Sequence, residues 1–510
     1  MGTKRIAIVK KRTGHDLEWH MPPALVRAVD ALALEGVLGR VRRTQGQAFM
    51  PQLTLPYLAA LGRAYDSAAG TRHEFEVRDA REEELRLEGC DMAWFTVSTP
   101  NAPATYRVSD MLRARGVPTV LGGIHPSVMP GEAAGHATAI ATGDGEETVP
   151  RILADFDEGR LRARYDGGRA ASMDGLPVPL WGREADASGG GNDPCPWVVP
   201  VQTSRGCRNA CAFCSTTRFQ GAARRHRPAG EVADEIRALQ DAGVLTPDKT
   251  VFFTDNNIVS DSDHRRGARD TRHARELFEA LLPLGIAWVG QGEVSVADDP
   301  DLVDLMARSG CHLLLVGLET VSQSAMDGIG KPGNRVGRYA AALETLHDHG
   351  IANIGCFIAG LDGDGPGVFD ATAAFIRRHV DVPQLSLLTP FPGTPLFRRA
   401  EADGRLLHRD WSRYDILHVV SRPALMTPGE LRAGYDRLVD EVYSPWAMAS
   451  RALRYAARRT VNGMPRFGFA GRLSSVLAPN LVYRRLARLG RRDVAADGAG
   501  ARTAAGEHAA

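Results

Sequence analysis

The chain has 510 residues, a formal net charge of +1 and 44% hydrophobic residues, enough for two large domains or three smaller ones, each with its own core. A charge this balanced argues against a general nucleic-acid binder. Seven cysteines in such a length do not make a disulfide scaffold; they fit a reducing, cytoplasmic setting in which clustered thiols signal metal or redox chemistry.

The opening MGTKRIAIVK enters a strand and then meets KKR, so it does not read as a signal peptide. No apolar run reaches the roughly 18 residues that a membrane span needs. Over residues 1–165 short β-rich runs alternate with helical stretches, which predicts a parallel sheet covered on both faces. The predicted strands are 5–10, 73–80, 91–99, 117–123 and 139–146, and the clearest helices are 105–116 and 146–159. Ligands in such folds bind beyond the carboxyl ends of the strands. Those ends carry STPNA, GGIHP and GDGEE, whose small residues let a ligand approach the backbone.

Residues 166–196 read as a linker, with the Gly-, Asp- and Pro-rich DASGGGNDPCP at 186–196. A second β/α series fills 197–400, with strands predicted at 197–203, 250–256, 287–294, 312–319, 353–360 and 384–389. Six such units make a partial (β/α)6 barrel, whose site belongs at the carboxyl ends of its strands by analogy with complete barrels. From 401 to 492 the pattern is helical, and TPGE at 427–430 is a capping box. The stretch from Arg451 to Arg492 holds eleven arginines and no acid. Three readings stand for it: contact with an anionic membrane surface, an anionic substrate, or partners elsewhere in the chain, the last being the default. The Ala/Gly-rich residues 493–510 predict a disordered tail.

The stretch SRGCRNACAFCST (204–216) follows the first barrel strand and holds Cys207, Cys211 and Cys214 as C-x3-C-x2-C. A structural zinc site closes its fourth position with Cys or His, and His226, twelve residues on among arginines, is a poor candidate. Three thiolates are better suited to a 4Fe-4S cluster with one iron left open. Cys90, Cys311 and Cys356 sit in apolar runs and read as core; Cys195 lies near the linker.

This loop, with its place after the first barrel strand and Phe213 before the third cysteine, closely resembles the cluster loop of the radical S-adenosylmethionine (SAM) superfamily. The resemblance implies that the open iron is chelated by the amino and carboxylate groups of SAM. Reductive cleavage there gives methionine and a 5′-deoxyadenosyl radical, which abstracts hydrogen from carbon. The segments FTDNN, GQGE, VGLET, GCFIAGLDGD and TPFPGTPLF resemble further parts of that barrel. They imply that Phe213, Asp255, Asn256, Glu293 and Glu319 meet SAM and that Gly360 packs beside its adenine. The competing reading is that some of these acids pair with nearby arginines.

Toward the amino terminus, PQLTLPYLAAL, GGIHPSVMPGEA and ATGDGEETVPRILAD resemble the cobalamin (B12)-binding domain of one radical SAM subfamily. That implies a flavodoxin-like, doubly wound sheet with cobalamin at Ser98, Thr99, Gly122, Gly123, Gly143, Gly145 and Glu146. The D-x-H-x-x-G motif, whose His replaces the lower base on cobalt in many such domains, is missing. His15 and His20 have the wrong spacing, and His125 in GGIHP reads as a turn residue. The segment beginning WSRYDILHVV resembles the tail of the branch containing hopanoid methylases and natural-product enzymes. There Trp411, Tyr414 and His418 are candidates for the substrate cavity, with packing as the blander role.

These resemblances imply a cobalamin-dependent C-methyltransferase acting on a natural-product or lipid intermediate, served by an external flavodoxin or ferredoxin. The alternatives are ring closure, oxidation or rearrangement without methyl transfer, and an iron–sulfur binding or regulatory module without turnover. A tRNA methylthiotransferase is disfavoured, because that family has additional amino-terminal cysteines and only Cys90 precedes residue 190 here.

Overall fold

The computed structural model describes residues 3–12, 50–80, 87–181, 195, 197–261, 263–264, 266–458 and 468–506. They form two compact units: residues 1–292 with 305–312 and 391–398, and residues 293–304, 313–390 and 399–510.

In the first unit six strands, β1 (Lys4–Lys11), β2 (His73–Ala80), β3 (Met92–Thr96), β4 (Thr119–Gly122), β5 (Ala139–Thr142) and β6 (Arg164–Asp166), form a parallel sheet in the order β2-β1-β3-β4-β5-β6. The near-continuous apolar runs of β1 and β3 suit a sheet buried on both faces. Alternate residues of β1 divide between two cores. Ile6 and Ile8 pack with Phe75, Trp94 and the apolar sides of helices Thr54–Ala69 and Gly145–Asp157. Ala7 and Val9 pack with Ala93, Phe95 and helix Ala102–Ala114. The chain changes direction across the sheet between β1 and β3, the switch point at which doubly wound sheets open a crevice. Strand β6 was not anticipated. The GGIHP segment, read as a turn, carries a short helix, Ile124–Val128.

The barrel has six parallel β/α strands. β7 (Val198–Val201) is followed by a two-residue antiparallel pair, β8 (Ser204–Arg205) with β9 (Arg225–His226). Next come β10 (Thr250–Phe253) and β11 (Ala287–Gly292), then β12 (Cys311–Glu319), β13 (Ala352–Ala359) and β14 (Val382–Leu387). β10 pairs with β7 and β11 in the first unit, and β13 with β12 and β14 in the second.

In the second unit the helix Pro428–Val442 starts with the predicted capping box, Thr427 and Glu430 bonding reciprocally. The arginines that follow are largely spent inside this unit. Buried Arg451 donates to Asn480 at 2.7 Å and to the Asp381 carbonyl at 3.2 Å. Arg454 and Arg472 donate to main-chain carbonyls, Arg458 pairs with Glu344, and Arg488 and Arg491 pair with Asp440. The last helix, Phe469–Gly506, continues beyond residue 492, where composition predicts that order ends. Among the described residues no helix is long and apolar enough to cross a membrane.

Trp288 anchors the outer face of β11. It is fully buried, stacks on Phe278 at 5.2 Å, meets Phe253 edge-on at 5.5 Å, and donates its indole N–H to Ser309 at 3.1 Å. Trp288→Ala is expected to cost about 3–5 kcal/mol, seen as a lower urea midpoint, and Trp288→Phe clearly less.

Candidate active site

The cysteine loop starts where β7 ends, and a buried carboxylate fixes that start. Asp255, just past β10, accepts from the Thr203 N–H at 3.0 Å, the Thr203 hydroxyl at 2.7 Å and the Ser204 hydroxyl. It has no exposed surface. Both Asp255 oxygens thus bond the backbone and hydroxyls that launch the loop, a role that its expected place beside SAM did not include.

The β8–β9 pair closes the loop's neck. Gly206 has φ +95°, and a Cβ there would strike the Ala223 carbonyl, so glycine is required. The Cys207 N–H donates to the Gly221 carbonyl at 3.1 Å, and the Cys214 N–H to Cys211 at 3.1 Å. Asn256 laces the two ends together. Its Oδ1 accepts from Thr216 Oγ1 at 3.0 Å, and its Nδ2 donates at 2.7 Å to Gln220 Oε1, which also accepts the Gly206 N–H at 3.2 Å. Leu396 of the PFPGTPLF segment donates its N–H to the Ala212 carbonyl at 3.0 Å. Ala210, between the first two cysteines, holds a left-handed φ of +45°.

Cys207, Cys211 and Cys214 are outside any disulfide and of intermediate exposure, and so is Phe213. Among the described residues no three His, Cys, Asp or Glu side chains converge as about a single ion. Three thiolates on one short loop suit a 4Fe-4S cluster with one iron left open. His226 is engaged elsewhere, with Nε2 2.6 Å from Asp261 Oδ2. Cys90, Cys195 and Cys311 are buried; Cys356 has its thiol 3.1 Å from Gln384 Oε1 and raised to about 12 by burial.

A cavity of about 550 Å³ lies beyond the carboxyl ends of β3, β4 and β5. Ser98, Gly122, Gly123, Gly143 and Gly145 line it, together with Tyr57 and with Arg205, Phe219 and Gln220 from the cysteine loop and its neck. The glycines divide by cause. Gly123 (φ +100°) and Gly143 (φ +83°) serve the backbone itself: a Cβ at Gly123 would sit 2.9 Å from Val97 N and O, and one at Gly143 would press into the Gly168 carbonyl. Gly122 and Gly145 carry no positive φ and leave the cavity floor bare.

Two expected members lie outside that lining. Thr99 is buried with its hydroxyl 3.3 Å from His125 Nδ1, and His125 Nε2 lies 3.3 Å from Glu132. His125 is thus a fully buried structural residue, its ring pKa lowered by burial. Glu146 turns away to an ion pair with Arg205 at 2.8 Å and accepts the Tyr57 phenol. Among the described residues that line the cavity there is no histidine, and His15 and His20 lie outside the described residues. A broad pocket floored by glycine at the carboxyl ends of the sheet's strands fits a cobalamin.

The charges at this junction went unrecognised in the sequence. Arg205 pairs with Glu146 and, at 3.5 Å, with Asp144; Arg225 pairs with the other Asp144 oxygen, which also accepts the Ala170 N–H at 2.8 Å. All four side chains are at most 15% exposed. Burial, with Glu146 next to it, drives the Tyr57 phenol well above its ordinary pKa, and the two carboxylates hold Arg205 more firmly charged although burial opposes this.

In the second unit Glu293 is buried at the end of β11. Glu319, at the end of β12, has φ +64° and pairs with Lys331 at 2.6 Å. The competing reading holds for Glu319 with lysine in place of arginine. Gly360 has φ +96°, and a Cβ there would lie 2.8 Å from Leu431, so this glycine admits a leucine of its own chain. Trp411, Tyr414 and His418 are buried; the Tyr414 hydroxyl donates to the His408 carbonyl at 2.6 Å and His418 Nδ1 lies 3.0 Å from Asp415. These contacts match the packing role.

The radical SAM superfamily profile matches residues 201–376, and the B12 binding domain profile matches residues 41–153. Bacteriochlorophyllide d C-12(1)-methyltransferase of Chlorobaculum tepidum is 32% identical over 371 residues, 72% of this chain and 77% of the relative. The same organism's bacteriochlorophyllide d C-8(2)-methyltransferase is 26% identical over 415 residues, covering 80% and 90%. The fold is similar to that of the radical SAM methyltransferase TsrM from Kitasatospora setae, with a TM-score of 0.62 at 16% identity over 92% of this chain and 98% of that one.

The chain belongs to the radical SAM superfamily, in the group with a B12-binding domain ahead of the barrel. Within that group it is a cobalamin-dependent methyltransferase whose cofactors are a 4Fe-4S cluster, SAM and cobalamin.

Removing the guanidinium leaves the largely buried Glu146 with the Tyr57 phenol but no cation, while Asp144 keeps Arg225. Arg205→Met is expected to lose about 3 kcal/mol of stability, measured as a fall in urea midpoint. Arg205→Lys should recover less than half, because a compact ammonium lacks the rigid planar fork that reaches Glu146 and Asp144 from one guanidinium.

Proposed function

We propose that the enzyme transfers methyl groups to carbon in a small-molecule intermediate of natural-product or lipid type, working in the cytoplasm with electrons from a flavodoxin or ferredoxin. The observation that carries this reading is the shared wall: Arg205, Phe219 and Gln220, of the cysteine loop and its neck, also line the glycine-floored cavity. When bound, the cluster with SAM supplies the 5′-deoxyadenosyl radical and cobalamin supplies the methyl group. The protein's task is to hold both at fixed distance and to keep water from the reacting carbon. Cys207, Cys211 and Cys214 would hold the cluster. Asp255 and Asn256 fix the loop that carries them, through the bonds to Thr203, Ser204, Thr216 and Gln220. Ser98, Gly122 and Gly145 would receive the corrin, with Arg205 tying that rim to the neck of the loop.

The cytoplasmic assignment is supported by seven cysteines, none of which is in a disulfide. The arginine-rich carboxyl-terminal segment is read as internal, because its guanidinium groups are largely committed to carbonyls and carboxylates.

The test reconstitutes the full chain with iron, sulfide and cobalamin, then adds dithionite and SAM. A retained cobalamin absorbance spectrum and release of 5′-deoxyadenosine are expected. Cys211→Ala should bring 5′-deoxyadenosine to background while cobalamin stays bound. Loss of cobalamin on gel filtration, with 5′-deoxyadenosine still formed, would favour ring closure or oxidation. No 5′-deoxyadenosine at all would leave an iron–sulfur binding module.

A further inference from the structure

The connection after β10 shares a rim with the cysteine loop, because β7 and β10 are paired neighbours and both segments leave from carboxyl ends. Residues 261–275 of it hold five arginines against three aspartates. Main-chain bonds close it into a short hairpin: the Asp261 N–H donates to the Asp270 carbonyl at 2.8 Å, and the Asp263 N–H to the Ala268 carbonyl at 2.8 Å. The hairpin is fixed to the neck of the cysteine loop. Asp261 pairs with Arg224 at 2.6 Å and lies 2.6 Å from His226 Nε2. Arg224, only 4% exposed, also donates to the Ser204 hydroxyl at 2.6 Å, and the His226 ring packs on His273 with centroids 3.9 Å apart. One of the three aspartates is thus spent on the anchor. The arginines, by contrast, face solvent. The side chains of Arg266 and Arg272 are 84% and 86% exposed, and Arg269 is exposed as well. Arg208, between the first two cysteines, is exposed too. Asp270 is held below the usual carboxylate range, first by its hydrogen bonds from Arg272 and also by the charge of Arg208. The cysteine loop's own arginine therefore lies within electrostatic reach of the hairpin.

We infer that Arg208, Arg266, Arg269 and Arg272 form the docking surface for a small acidic one-electron carrier protein. This rests on the reading that the cluster held by Cys207, Cys211 and Cys214 takes its electron from such a carrier. The step is a one-electron transfer in which no bond forms or breaks: the reduced carrier loses one electron and the cluster gains it. Electron transfer weakens steeply with distance, so the carrier has to dock beside the cysteine loop. An arginine surface anchored to that loop's neck both attracts an acidic partner and fixes its register. With a whole-chain charge of only +1, the positive patch is local, which suits steering of one acidic partner rather than general binding of nucleic acid. A stability role would turn these guanidinium groups inward, as the neck does with Arg224. Instead they lie in solvent, where ion pairs contribute little.

The test uses the full chain reconstituted with iron, sulfide and cobalamin, and a purified acidic flavodoxin as the carrier. Two quantities are read. One is the Kd for labelled oxidised flavodoxin, which needs no turnover. The other is the rate of 5′-deoxyadenosine release driven by reduced flavodoxin, against release driven by dithionite, a small reductant that needs no docking surface. Arg266→Glu combined with Arg272→Glu is expected to raise the Kd and lower the flavodoxin-driven rate, each by about tenfold at low ionic strength, with the gap closing as salt is added. Its dithionite-driven release should match wild type. Arg266→Lys with Arg272→Lys keeps the charges and should stay near wild type. Arg115→Glu, an exposed reversal just past helix Ala102–Ala114, should change neither quantity. Wild-type Kd and rate in the charge-reversed double variant would overturn the proposal. Unchanged flavodoxin binding with lost affinity for a single-stranded RNA probe would give the patch to nucleic acid and equally overturn it. No 5′-deoxyadenosine from wild type with dithionite, while flavodoxin binding stays charge-dependent, would sink the reading of function and leave the docking surface standing. If the double variant loses iron, Arg266→Glu alone decides by the same two quantities.

Discussion

The ion pairs among Asp144, Glu146, Arg205 and Arg225 are the constraint on which the first unit depends. They join the loop after the last long strand of the B12-type sheet to the neck of the cysteine loop. Buried charges seldom add net stability, because desolvation cancels most of their attraction. What they add is registry: an arginine fork matches a carboxylate in few orientations. Tyr57, bonded to Glu146 and lying 5.7 Å beneath the Arg205 guanidinium, extends that registry to the helix above the cavity. Two cofactor platforms that must cooperate across a fixed gap need such a joint more than they need stability.

Side chains just behind the site do the same work at shorter range. Asp255 turns the chain out of β7, and Asn256 holds the two ends of the cysteine loop. None requires the protein to carry out proton transfer. Their common task is to fix loops, as expected of an enzyme whose cofactors perform the difficult chemistry. The left-handed Ala210 falls in the cysteine loop, where cofactor contact is expected, consistent with strain collecting at functional sites.

The sequence made the architecture legible because parallel strands advertise themselves. RIAIVK and MAWFT are continuous apolar runs, and the helices between them end in Gly or change composition sharply. The three cysteines were legible because their spacing is short. Long-range pairing was not. Nothing in SRGC marks Arg205 as the partner of a glutamate 59 positions earlier, and the fork closes only once the two folds meet. Asp255 was singled out in the right segment, but its hold on Thr203 and Ser204 was not legible, since a carboxylate at a strand end looks the same whether it faces a ligand or a neighbouring hydroxyl. The glycines of GGIHP and GDGEE were recognised as necessary, yet Gly123 and Gly143 answer to their own backbone. Strand β6 is three residues long and alternates exposed, buried, exposed, too short for periodicity to reveal.

The carboxyl-terminal arginines carry a consequence for where the chain can be shortened. Arg451 and Asn480 both donate to the Asp381 carbonyl, and Asn353 donates at 3.0 Å to a carboxylate oxygen of the same Asp381. Residues nearly a hundred positions apart thus meet at the amino end of β14. A chain ended before residue 451 would lose more than a positively charged tail. It would open the entry to the last barrel strand, leaving a buried carbonyl and the backbone around it without their donors. The helices that carry Arg451 and Asn480 are thus an integral part of the barrel's last wall.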